Sequence, residues 1–110
     1  MNNNEAKQIL NKQNEKIIGS YQRDGDWKTV RFQPNGVCYY HHLCGLYLYE
    51  ERSSELFICT DSNVDETEFV RRLMEGDLPI LKFDVEFTPK RHMILRGLST
   101  GGTPIVYKYY

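Results

Sequence analysis

From Gly19 onward, apolar and polar positions alternate with a period of two, the pattern of strands that turn one face to a core. In "LKFDVEF" Leu81, Phe83, Val85 and Phe87 fall on one side, with Lys82, Asp84 and Glu86 on the other. Earlier, Lys28, Val30 and Phe32 alternate with Trp27, Thr29 and Arg31, and "PNG" at 34–36 supplies hairpin chemistry. Val37 to Leu43 reads as the return strand. Gly45 bends or bulges the chain before "LYLYEE", and "ERSSE" turns it into "LFICT". Further on, "TPKRH" and "STGGTP" separate three more strands, the last being "IVYKYY". Seven or eight short strands in this order predict a mainly β protein, an antiparallel up-and-down meander closing into a small barrel.

Two segments depart from that period. Residues 5–18 predict a short helix, with Asn4 to cap it, Gly19 to end it and Ala6, Ile9, Leu10 and Ile17 as an incomplete apolar stripe. A helix of that length is marginal alone and needs a surface to dock on. It divides the chain into a helical appendage, 1–18, and a barrel domain, 19–110. The second helix, near 65–75, is the stronger. Asp61 or Ser62 stands ready to cap it, and Asp65, Glu66 and Glu68 suit its positive end. Phe69 with Leu73 and Val70 with Met74 pair at i,i+4, and Gly76 supplies the stop.

The two ends of the barrel region carry a family resemblance. "IIGSYQ…WKTVRFQPNGVCYY" resembles the opening of small lipocalin-like (calycin) domains: a Gly followed by an aromatic, then a strand ending in Phe and an Asn-Gly hairpin. "LKFDVEFTPKRHMILRGLSTGGTPIVYKYY" is similar to their closing hairpins, with alternating tyrosines on the final strand. The resemblance spans 17–110. The family opening carries Gly-x-Trp, where this chain has Gly19, Ser20 and Tyr21, and the helix at 65–75 interrupts the usual run of strands. The resemblance implies the barrel fold and a habit of binding small hydrophobic ligands.

Composition narrows the function classes. With 110 residues, one core is the natural expectation. Fourteen Lys and Arg against 15 Asp and Glu leave no global field to draw nucleic acid or an anionic membrane, and neither is an expected partner. No run approaches the roughly 18 apolar residues of a membrane span. Three cysteines, an odd number, exclude complete disulfide pairing within the chain and point to a reduced, cytoplasmic protein. No G-x-S-x-G elbow, H-E-x-x-H or phosphate-binding glycine loop occurs, so the reading is non-catalytic, with no cofactor.

"CYYHHLC" at 38–44 is the densest chemistry in the chain. Read as one strand, it places Cys38, Tyr40, His42 and Cys44 on one face and Val37, Tyr39, His41 and Leu43 on the other. Same-face neighbours then lie about 7 Å apart and Cys38 and Cys44 roughly 20 Å apart, which suits neither a zinc site nor a disulfide. No metal is expected. Asp84 and Glu86 share a face at a carboxylate spacing that glycosidases use, but that face alternates with a strongly apolar one, so it meets water and pairs with Arg96.

Two functions follow from this reading. In the first, the barrel encloses a hydrophobic or amphipathic small ligand, with Phe32, Tyr39, His41, Phe83, Leu95 and Tyr107 lining the site beside Val85. His41 is then the polar anchor for an anionic or carbonyl end. In the second, fourteen aromatics fill the barrel and it serves as a protein-interaction or regulatory module. That module pairs as a homodimer if the "VYKYY" strand, weakly guarded by Lys108, is a free edge. The aromatic content favours filling and the resemblance favours a pocket, and the ligand-binding barrel is the preferred reading, with the filled module as its alternative.

Overall fold

The computed structural model describes residues 3–11, 16–76, 81–97 and 102–109. Eight strands form a closed antiparallel barrel: β1 (Gly19–Arg23), β2 (Thr29–Phe32), β3 (Val37–Tyr40), β4 (Leu43–Glu50), β5 (Glu55–Cys59), β6 (Leu81–Phe87), β7 (Met93–Arg96) and β8 (Ile105–Tyr109). Each pairs with its neighbour in sequence, and β8 closes the ring on β1 with Tyr21 opposite Tyr109 and Arg23 opposite Tyr107. Closure corrects one expectation. With β7 on one side and β1 on the other, the last strand has no free edge for strand-to-strand dimerisation.

The hairpins follow from local chemistry. Between β2 and β3 the Gly36 N–H donates to the Gln33 carbonyl at 3.3 Å, with Pro34 and Asn35 as the central residues. Gly36 then takes φ +84°, giving a three-residue loop with a glycine bulge. That loop sets Phe32 opposite Cys38 and Arg31 opposite Tyr39. Cross-strand partners share a face, so Cys38 goes inward with Phe32 and Tyr39 goes outward with Arg31. This reverses the sequence-based facing of residues 37–40.

Inside, Tyr21, Phe32, Tyr47, Phe83, Met93, Leu95 and Tyr107 each keep 1% or less of their surface, and the rings interlock. Phe32 and Tyr47 meet edge-on at 4.8 Å, Tyr21 and Phe32 at 6.0 Å. Three tyrosines fit in such a core because their hydroxyls reach its ends. Tyr21 donates to the Ile17 carbonyl at 3.0 Å and Tyr47 to that of Gln33 at 2.6 Å, while Tyr107 meets His41. Among the described residues no buried side-chain polar atom lacks a partner.

A second, smaller core lies outside the barrel wall. The outward residues of β4 and β5 (Leu46, Leu48, Phe57 and Cys59) are apolar, and two helices cover them. Helix α1 (Asn3–Leu10) brings Ala6 and Leu10, and helix α2 (Glu66–Glu75) brings Phe69 and Val70. Helix α1 is shorter than expected. Residues 12–15 lie outside the described residues, and Ile17 belongs to the barrel core instead of the helix stripe. Helix α2 starts later than Asp61 or Ser62 would place it. Asp65 is its cap, accepting the Glu68 N–H at 2.8 Å, while the Asp61 side chain accepts the Asn63 N–H in a preceding turn. Gly76 ends it at φ +67°, as expected. Met74, expected to pair with Val70, is exposed. The first half of the "STGGTP" turn, residues 99–101, falls outside the described residues.

Candidate functional site

One end of the barrel gathers the polar chemistry. The "CYYHHLC" stretch is not one strand but two, turning back at His41 and His42 so that Tyr40 pairs with Leu43. His41 has φ +47° and His42 φ +76°, the left-handed pair that a two-residue type I′ hairpin demands. Asn-Gly is the usual occupant of such a turn, and two imidazoles hold it here at some cost in backbone strain. The turn also overturns the estimated spacing of the cysteines. Cys38 lies opposite Gly45 and Tyr39 opposite Cys44, so the two thiols stand on neighbouring strands but on opposite faces. Cys38 is sealed inside, where burial pushes its thiol up to about 12, and Cys44 is exposed. Among the described residues, no three His, Cys, Asp or Glu side chains converge as a metal-binding group would.

His41 folds back over the barrel end. Its Nε2 lies 2.7 Å from the Tyr107 hydroxyl, and its ring stacks on Tyr40 at 4.0 Å. The Tyr107 hydroxyl also bonds that of Tyr40, so β3, the turn and β8 are tied at one point. Burial, above all, holds the Tyr107 hydroxyl well above the ordinary tyrosine value, with Tyr40 adding to it. His41 is held below its ordinary value, first by burial and then by the cations Lys28 and Arg23. The imidazole is therefore neutral near pH 7. The β1–β2 turn completes this rim. Asp26 accepts the N–H groups of Trp27 (2.6 Å) and Lys28 (3.3 Å) and lies 3.9 Å from Arg23, and Trp27 packs against His42 with ring centres 5.3 Å apart.

Of the six residues expected to line a ligand site, Phe32, Phe83, Leu95 and Tyr107 share the inner core, joined there by Val85. His41 sits above them at the rim. Tyr39 is on the outer wall, 43% exposed, and is separated from the others by the sheet itself. Sequence reasoning missed Tyr40, the inward ring that contacts both His41 and Phe83. No residue signal marked the turn that directs it inward, because two histidines are not the usual occupants of a tight hairpin turn. Asp84 and Glu86 are exposed as expected, and Arg96 reaches Glu86 at 3.2 Å.

Two open depressions lie on the outside of the wall. One of about 510 Å³ runs over β1–β3 and is lined by Ser20, Thr29, Val30, Arg31 and Tyr39. Another, of about 450 Å³, lies beside the β1–β2 turn and β8, where its ionic groups are paired as Arg23–Asp26 and Lys108–Asp24. No helix among the described residues is long and apolar enough to cross a membrane. No protein-family model, curated protein or solved structure matches the chain.

Proposed function

We propose that the protein is a non-catalytic interaction module on a lipocalin-like barrel, its interior given to its own side chains and its outer wall to a protein partner. The observation behind this reading is the sealed interior. Phe32, Phe83, Leu95 and Tyr107 retain 1% of their surface, whereas a cavity able to admit even a water leaves its walls accessible. Sites for small ligands enclose upwards of about 300 Å³. The free thiols of Cys38, Cys44 and Cys59 fit a reducing, cytoplasmic setting.

A second reading keeps a small amphipathic ligand at the rim. The hydrogen bond between His41 and Tyr107, with Arg23 and Lys28 near it, favours this reading because the same groups suit an anionic end. Titration with 1-anilinonaphthalene-8-sulfonate separates the two. The interaction module gives no saturable enhancement with the native protein. One-to-one binding that weakens in Phe83→Ala, and changes its pH dependence in His41→Gln, overturns the module in favour of the ligand.

A further inference from the structure

We propose that the outer face of β1–β3 is a docking strip for an acidic segment of another protein, gripped by Arg31 and laid against the rings of Tyr39 and Trp27. The proposal rests on the interaction-module reading and names the chemistry of its partner.

The rest of the wall is already occupied. Over β4 and β5 the outward apolar residues are covered by α1 and α2. Over β6–β8 the outward charges answer one another, Lys82 with Glu55 at 2.7 Å, Arg96 with Glu86 at 3.2 Å and Lys108 with Asp24 at 3.2 Å. Five cations stand on strands, and the fourth pair is Arg23 with Asp26. Arg31 is the exception. Among the described residues no carboxylate comes within ion-pair distance of it, and the outward positions of its sheet segment (Ser20, Gln22, Thr29, Val37 and Tyr39) include no acid. This face is cationic on a chain whose formal net charge is −1.

The strip is also where exposed aromatic surface collects. Ser20, Arg31 and Tyr39 stand in register across three strands and line the 510 Å³ depression with Thr29 and Val30. Trp27, 67% exposed, stands in the adjoining β1–β2 turn, and Leu43, 55% exposed, begins β4 beyond the His41–His42 turn. Met74 on α2 is the other large apolar side chain exposed among the described residues. A guanidinium offers a carboxylate two parallel hydrogen bonds, and flanking rings supply the apolar area on which such contacts depend. A single arginine among hydroxyls is a poor match for the phosphate row of a nucleic acid, which calls for several cations. Strand addition is also closed to the partner, because the barrel has no free edge, so recognition falls to side chains on the face.

The test uses a short fluorescein-labelled peptide alternating glutamate and phenylalanine, its lysine–phenylalanine counterpart, and a labelled oligouridylate, titrated by anisotropy. The acidic peptide should bind saturably, shift the emission of Trp27, the single tryptophan, and weaken as salt rises. Arg31→Glu and Tyr39→Ala should each weaken it by roughly tenfold while the melting temperature holds, since both side chains are exposed. No saturable binding of the acidic peptide, equal binding of the lysine peptide, or unchanged affinity in Arg31→Glu overturns the proposal. Tighter binding of oligouridylate reassigns the face to nucleic acid, and a dimer dissolved by Arg31→Glu reassigns it to a second copy. Dye excluded and peptide ignored removes only the acidic partner, whereas dye held beside Phe83 removes the underlying module.

Discussion

His41 Nε2 and the Tyr107 hydroxyl, 66 positions apart in sequence, lie 2.7 Å from each other and tie the β3–β4 turn to the last strand. The contact gives the fold a pH dependence of definite sign. In the folded protein the imidazole is held below its ordinary 6.5 by burial, then by Lys28 and Arg23, with Asp26 opposing and His42 adding a little. In the unfolded chain the ring returns to about 6.5, so in the interval below that value the unfolded state binds the extra proton. Stability should therefore be level above about 6.5 and fall as pH drops through the folded value. His41→Gln, which keeps an amide to meet Tyr107, should flatten that part of a plot of urea midpoint against pH. Glu55 and Glu68 have lowered values from their cationic partners, so their contribution is lost only at more acidic pH. An unchanged slope in His41→Gln would show that another group titrates there.

The barrel was legible in the chain because its strongest signals are local. The alternation of Phe83 and Val85 with Asp84 and Glu86 needs only a period, and Pro34-Asn35-Gly36 needs only a turn. The facing of Tyr39 was not legible in that way. It depends on whether the loop after Phe32 has an odd or even count, and one residue of register exchanges the two faces. Nor does a His-His turn announce itself, since its φ values are adopted against the preference of the residues. The helices on β4 and β5 explain a pattern that alternation alone misreads. Leu46 and Leu48 are apolar on the outward side because α1 and α2 cover them.

The two faces of β6 should respond oppositely to substitution. Phe83→Asp or Val85→Asp places an uncompensated carboxylate in the core and should prevent folding. Phe83→Ala should cost about 3–5 kcal/mol through lost burial and the void left behind. Asp84→Thr and Glu86→Thr, on the exposed face, should cost roughly 0.5 kcal/mol or less. Chemical denaturation followed by circular dichroism checks the series, and similar losses on both faces would contradict the inward–outward assignment.

Gly45 marks the tightest backbone approach in the wall. A Cβ there would come within 2.2 Å of the Cys59 carbonyl oxygen, a backbone atom on the paired strand with no rotamer to escape by. Gly45→Ala should therefore separate β4 from β5 and cost about 3 kcal/mol or more, near the upper end of overpacking effects. Gly25→Ala is the control, since nothing lies within 4 Å of the added atom, though its φ of +77° leaves a strain of about 1 kcal/mol. Melting curves should place Gly45→Ala far below Gly25→Ala. Equal losses would mean that backbone conformation, not steric contact, dominates both.

The two turn histidines should prove unequal. His42 occupies the second position of the type I′ turn at φ +76°, where glycine removes a penalty of about 1 kcal/mol. Its ring packs on Trp27, which is 67% exposed, so the contact offsets no more than about 0.5 kcal/mol. His42→Gly should accordingly raise stability by about 0.5 kcal/mol. His41→Asn keeps a residue that tolerates a left-handed backbone but is too short to reach Tyr107. It strips one partner from a buried hydroxyl and should cost about 1–2 kcal/mol, with Tyr40 remaining as the other partner. Urea denaturation of both variants at pH 7.5 checks the contrast. A loss in His42→Gly as large as that in His41→Asn would mean that the Trp27–His42 contact, not the His41–Tyr107 bond, fixes the hairpin.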